Sequence, residues 1–257
     1  MIGVRRPGCG LDLAGEAIGW RQVPMICMYH AVADEPEDPN GLCVTPARFA
    51  EQMAWLAGRG LRGVGVGTLL AALRAGKAAG LVGISFDDGY RSVLAAALPV
   101  LQCHGFGATA FVLSDPASGT NSWDAGPQWP LLTPGEIGEL ARGGVEIGSH
   151  GARHVRLPGL GPAVLAAELK GSRHALVSIA GTDVVGFAYP WGDMDPVARR
   201  AVAAAGYGYA CAVATPRRAL GMMALPRIYI GEQDGPMRLA LKRRLFRLNS
   251  IVKGKGR

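Results

Sequence analysis

Two carboxylates stand side by side in Ser85-Phe86-Asp87-Asp88-Gly89-Tyr90, and two histidines stand four positions apart in Gly148-Ser149-His150-Gly151-Ala152-Arg153-His154. Adjacent side chains leave the backbone in different directions, so Asp87 and Asp88 cannot share a role. One can bind a metal ion while its neighbour faces the water that the ion activates. Histidines at i and i+4 can present both imidazoles to a single ion. Two His and one Asp leave coordination positions open, as a catalytic ion requires. Each motif alone has a plainer reading: the acids could cap a helix beginning near Arg91, and the histidines could lie exposed beside a loop. Together they point to metal-assisted hydrolysis.

Elements that must position these residues can be read from short apolar runs at Met25–Tyr29, Gly83–Phe86, Ala108–Leu113, Val145–Ser149, Val184–Ala188 and Tyr209–Val213. Helix-period stretches separate them at Pro46–Gly60, Ser92–His104, Pro134–Arg142, Pro162–Ala180 and Pro196–Ala205. That alternation marks successive βα units on a parallel sheet. Thr45-Pro46, Thr133-Pro134 and Asp195-Pro196 each place a capping side chain before a proline at the first helical position. His30, the Asp87-Asp88 pair, His150 and Tyr189-Pro190-Trp191-Gly192 all follow the end of a predicted strand. In a β/α barrel those ends converge on the face where active sites are built.

Composition suits such an enzyme. The 257 residues are 49% hydrophobic and 18% charged, which excludes a disordered chain and fits one domain with strands buried on both faces. The net charge of +7 is concentrated at one end: Arg238 to Arg257 holds eight Lys or Arg and no acid, leaving 19 basic and 20 acidic groups in the other 237 residues. Without interleaved aromatics this basic tail does not predict nucleic-acid binding. Met237, Leu241, Leu245 and Leu248 recur there at helical spacing, so the tail is read as an amphipathic helix whose apolar stripe closes the barrel. The alternative lays that stripe on an anionic leaflet.

Cys9, Cys27, Cys43, Cys103 and Cys211 are widely spaced and read as reduced thiols. Arg5 and Arg6 are followed by Asp12 and Glu16, so no apolar stretch of signal-peptide length is expected. Pro99, His104, Gly105 and Gly107 interrupt the uncharged run Ser92–Ser114, which reads as helix, turn and strand rather than a membrane span. The expected location is the cytoplasm, with the basic tail able to touch the inner face of the membrane. Gly63, Gly65 and Gly67 do not complete a dinucleotide fingerprint.

The set of motifs resembles the polysaccharide deacetylases, also called the NodB-homology domain or carbohydrate esterase family 4, over roughly Met25 to Ile230. The resemblance implies an α/β fold: a single-domain distorted (β/α) barrel of about seven units, with the active site at the C-terminal ends of the strands. It implies Asp87 as general base and Asp88, His150 and His154 as ligands of one divalent ion. Zinc is the default, and cobalt, nickel or iron also suit such a set. Tyr90 would give its backbone N–H to an oxyanion hole, and Tyr189, Pro190 and Trp191 would form a wall of the substrate groove. The implied reaction removes the N-acetyl group from an amino sugar in a polysaccharide, oligosaccharide or glycoconjugate precursor, releasing acetate.

The chain departs from the family pattern twice. Many members carry a catalytic histidine near the C-terminus, and here none follows His174. Tyr29-His30-Ala31-Val32 instead resembles the early Y-H-x-V signature of a subgroup that includes poly-N-acetylglucosamine deacetylases, which makes His30 the acid. Many members also hold a base-orienting arginine before the equivalent of Pro190; Arg227, in Leu225-Pro226-Arg227-Ile228, is the candidate substitute. His104 and His174 read as structural or exposed. Trp123, Trp129 and Trp191 are candidates for stacking on sugar rings, with core packing the preferred reading for Trp123 and Trp129, which lie in the long segment Ser114–Leu132.

Three other readings compete. A facial-triad iron oxygenase would use the same ligand types but leaves Asp87 unexplained. A hydrolase of a non-carbohydrate C–N bond would keep the fold, and a non-catalytic sugar-binding module would not need the Asp87, Asp88, His150 and His154 set.

Overall fold

The computed structural model describes residues 25–213 and 221–252. Cys9, the charged positions Arg5 to Glu16, and the chain from 253 onward lie outside them, as do the side chains of 247–252, Leu248 included. In chain order the strands are β1 (Ile26–Tyr29), β2 (Ala31–Val32), β3 (Cys43–Val44), β4 (Arg62–Val64), β5 (Leu81–Phe86), β6 (Thr109–Val112), β7 (Glu146–Ser149), β8 (Gly186–Ala188), β9 (Tyr209–Ala212), β10 (Leu225–Pro226) and β11 (Ile228–Tyr229). The helices are α1 (Pro46–Ala57), α2 (Val66–Arg74), α3 (Leu98–Cys103), α4 (Pro134–Arg142), α5 (Pro162–Ala166), α6 (Ser172–Ala180), α7 (Pro196–Ala204) and α8 (Pro236–Val252).

Strands β1, β6, β8 and β9 are buried at every position because each lies between neighbouring strands and is covered on both faces. Eight strands pair side by side in the order β10-β9-β8-β7-β6-β5-β1-β11, all parallel, with β4 added beside β5. The two ends of that order are halves of one stretch: Leu225 and Pro226 pair with β9, Ile228 and Tyr229 pair with β1, and Arg227 alone separates them. The sheet therefore curls into a nearly closed barrel of seven staves, as the resemblance implied. Predicted caps set the helix starts. Thr45 Oγ1 accepts from Arg48 N at 3.2 Å, Thr133 forms a reciprocal capping box with Glu136, and Asp195 Oδ1 accepts from Ala198 N at 2.6 Å.

The closing strand and the β4-α2 unit were not expected. Gly63, in β4, pairs with Val82 of β5, and it is glycine there because a Cβ would lie 2.3 Å from Ile84 Cδ1 and 2.8 Å from Phe106 Cδ2. Gly67 and Thr68 donate their backbone N–H groups to the Glu146 carboxylate. The start of α2 thus binds the protein's own anion, which gives these glycines a structural purpose in place of a nucleotide.

The tail corrects an expectation. Helix α8 forms, but Met237, Leu241 and Leu245 are exposed, and Leu239 is the residue turned into the core. Lys242 ties the helix down by donating to Asp234 Oδ2 at 2.6 Å and to the Tyr229 carbonyl at 2.7 Å. The stripe is not needed inside because Leu225–Tyr229 already supplies the last stave. Cys27, Cys43, Cys103 and Cys211 are free thiols, as expected.

Candidate active site

Four strand ends deliver polar groups to one cavity, of about 200 Å³, at the C-terminal end of the barrel. It is lined by His30 after β1, Asp87 and Asp88 after β5, His150 and His154 after β7, and Tyr189 and Trp191 after β8. His150 Nε2 and His154 Nε2 lie 3.2 and 3.3 Å from Asp88 Oδ1. His150 Nδ1 lies 2.8 Å from the Ala188 carbonyl. A carbonyl only accepts, so Nδ1 carries the proton and Nε2 is left to face Asp88. Asp88 Oδ1 and the two Nε2 atoms face one another in a buried cluster that suits a shared cation, and Asp88, His150 and His154 offer ligand atoms within 4.8 Å of one another. The residues present therefore fit a divalent ion with open positions.

The backbone is strained where the site is made. Among the described residues, the non-glycine positions with positive φ are Asp88 (70°), His154 (57°) and Trp191 (62°). Each such conformation costs about 1–3 kcal/mol and persists only where its surroundings enforce it. For His154 those surroundings include Glu168, whose Oε2 accepts from Ala152 N at 2.7 Å and Arg153 N at 3.1 Å. Glu168 lies on a π-helical turn, Ala167–Gly171, inserted between α5 and α6. Ser172 closes the same loop by donating to the Gly151 carbonyl at 2.9 Å.

Asp87 faces Arg227. The guanidinium donates to both carboxylate oxygens, at 2.5 and 2.6 Å, and to Ser85 Oγ at 3.2 Å, with both partners buried. Burial by itself raises the Asp87 carboxyl, but Arg227 and the nearby His150 outweigh it and hold the group below its ordinary value. Burial also works against Asp88, and the positive potential of the His150, His154 and His30 imidazoles around it outweighs that burial and holds its carboxyl well below the usual range. Arg227 thus takes up the place next to the carboxylate that the sequence left open.

Tyr90 pairs antiparallel with Leu131, and the flanking Arg91 N to Pro130 O (2.9 Å) and Leu132 N to Gly89 O (2.8 Å) bonds carry that pairing. The Tyr90 N–H has no backbone acceptor among the described residues. Tyr189 and Pro190 are buried, and the Tyr189 hydroxyl donates to the Met223 carbonyl at 2.9 Å. Trp191 therefore presents the exposed part of the wall, with its ring 5.0 Å from His154. Trp123 corrects an expectation. It is half-buried, lines the cavity and stacks on His154 at 4.3 Å, whereas Trp129 packs on Tyr90 in a small core as expected.

His104 and His174 lie outside the cavity. Sequence reasoning missed Asp124, Asn40, Leu42 and Val213 in the lining, and Glu168 behind it. None belongs to a motif; for Asp124 the one available signal was its place in the long Ser114–Leu132 segment.

Comparison with known proteins places the fold. Residues 75–210 match the Polysaccharide deacetylase family. YxkH of Bacillus subtilis (strain 168), whose name proposes it as a polysaccharide deacetylase, is 27% identical over 209 residues, covering 80% of this chain and 70% of that protein. The poly-β-1,6-N-acetyl-D-glucosamine N-deacetylase of Escherichia coli (strain K12) is 36% identical over 76 residues, which are 29% of this chain and 11% of that much longer one. The Streptococcus pyogenes deacetylase PplD, solved with acetate, superposes with a TM-score of 0.73 at 24% identity over 85% of this chain and 96% of that one. IcaB from Ammonifex degensii superposes at 0.66 and 20% identity over 84% and 95%. At such identities the two superpositions speak for the fold. With more than half of its length matched to the family, and a barrel of that architecture, the chain belongs to the polysaccharide deacetylases.

Proposed function

We propose that the protein is a metal-dependent N-deacetylase acting on an N-acetylated amino sugar, borne on a polysaccharide, an oligosaccharide or a glycoconjugate precursor. The observation that carries this reading is the meeting, in one cavity, of an Asp88-His150-His154 ligand set and an arginine-paired Asp87. Zinc is the ion we assign. When bound by Asp88, His150 and His154, it would polarise the acetamide carbonyl and acidify a water.

The chain's own residues supply the rest. Asp87, ionised, accepts the water's proton; Arg227 takes two of its roughly four acceptor positions and leaves the others free. The Tyr90 N–H donates to the oxyanion of the tetrahedral intermediate, a contact of a kind worth roughly 3 kcal/mol. His30 donates a proton to the departing amine. The cavity, of about 200 Å³, has room for the acetamido group together with sugar atoms beside it. The sugar then rests across Trp191 and Trp123.

Chelation tests the reading: acetate release from a panel of N-acetylated sugars should stop on metal removal and return with zinc. Asp88→Ala, His150→Ala and His154→Ala should each lower bound metal by elemental analysis; full retention in any two would sink the assigned triad. His30→Ala should keep its metal and lose turnover by about 10². Ordinary turnover in that variant would place the acid elsewhere.

A further inference from the structure

Helix α8 exposes an apolar stripe that its own barrel does not use. Met237, Leu241 and Leu245, at successive i, i+4 positions, are 88%, 55% and 50% exposed, while Leu239 on the opposite side is 3% exposed and holds the helix to the body. At 3.6 residues per turn, Arg244 falls just to one side of that stripe and Arg238 just to the other, and both are exposed. The segment Arg238 to Arg257 carries eight cations and no acid, against a net charge of −1 for the remainder. A solvated surface helix needs no leucine stripe, and a contact with an average protein surface needs no such one-sided charge.

We propose that the outer face of α8 is a docking surface for a bilayer containing anionic phospholipid. The helix lies in the interfacial plane, with Met237, Leu241 and Leu245 entering the acyl boundary and the flanking arginines meeting phosphate groups. No helix among the described residues is long and apolar enough to cross a membrane. The surface is distinct from the catalytic cavity. Asn40 and Leu42 line that cavity, while the intervening Gly41 lines the groove beside Leu241 and Leu245. The α8 surface and the cavity are thus neighbours joined by residues 40–42.

Vesicle co-sedimentation of the full chain tests this, using phosphatidylcholine vesicles with and without about a third phosphatidylglycerol. Binding is expected only to the anionic vesicles and should weaken tenfold or more between 0.1 and 0.5 M salt. Leu241→Gln with Leu245→Gln replaces exposed side chains, so Tm should hold while binding weakens tenfold or more. Arg238→Gln and Arg244→Gln should each weaken it about fivefold. No binding by the full chain would overturn the proposal, and so would undiminished binding by the leucine variant. A concentration-dependent dimer lost in that variant would also overturn it, assigning the face to a second copy of the chain.

Discussion

Asp87→Asn should lower kcat by about 10² to 10⁴ while leaving the metal content unchanged, because the amide keeps the shape of the carboxylate and cannot accept the water's proton. The ligand set remains whole, since Asp88, His150 and His154 make no hydrogen bond through the Asp87 side chain. Stability should fall as well. The amide turns an N–H₂ toward one arm of the Arg227 fork, leaving a buried cation short of an acceptor. The two effects separate: elemental analysis and Tm report on the fold, and acetate release at saturating substrate reports on the chemistry. A variant retaining more than about a tenth of wild-type kcat would remove Asp87 from the role of base, because general bases contribute at least about 10².

Arg227 is expected to matter both to folding and to turnover. Arg227→Gln leaves Asp87 buried without its counter-charge, a change that typically costs about 3–5 kcal/mol and lowers Tm by roughly 10 °C in a chain of this size. The pH dependence has a definite sign. The Asp87 carboxyl is held below its ordinary value in the folded protein. Its contribution to stability is therefore present above the unfolded value of about 3.9 and is lost as pH falls through the folded one. In Arg227→Gln, burial acts unopposed by the guanidinium, so the carboxyl rises and the acid limb of kcat moves to higher pH. Arg227→Lys keeps the charge but not the two-pronged geometry. It should recover most of the lost Tm while kcat stays at least about tenfold down, the size expected when a catalytic group loses its orientation. Recovery of both in the lysine variant would reduce Arg227 to a charge partner.

Much of the fold and of the site is legible in the order of the residues. Six predicted runs became β1, β5, β6, β7, β8 and β9, because strands covered on both faces are mainly apolar and that shows along the chain, even in β7, where Glu146 and Ser149 flank Ile147 and Gly148. The three predicted Thr-Pro and Asp-Pro caps begin α1, α4 and α7, since capping is chemistry between residues three apart. Asp88, His150 and His154 were readable as candidate ligands for a related reason: their motifs follow the ends of strands, and parallel strands bring their ends together.

What the sequence hid depends on long-range contact. Leu225–Tyr229 contains a proline and an arginine, and its five residues become a stave only when β9 and β1 stand on either side to pair with it. Gly63 joins β4 by pairing with Val82, where Ile84 and Phe106 fill the space a side chain would need. Trp123 looked like core until a folded loop stacked it on His154, and the α8 leucines until the last stave left them outside. The amino-acid sequence by itself determined the βα alternation, the helix starts and the residue types of the candidate metal and base motifs, because these are properties of neighbours along the chain. Only the tertiary structure decided that Arg227 clamps Asp87, that Glu168 holds the His154 loop, and that the tail's apolar face points outward, because each is a contact or exposure set by residues far apart in sequence.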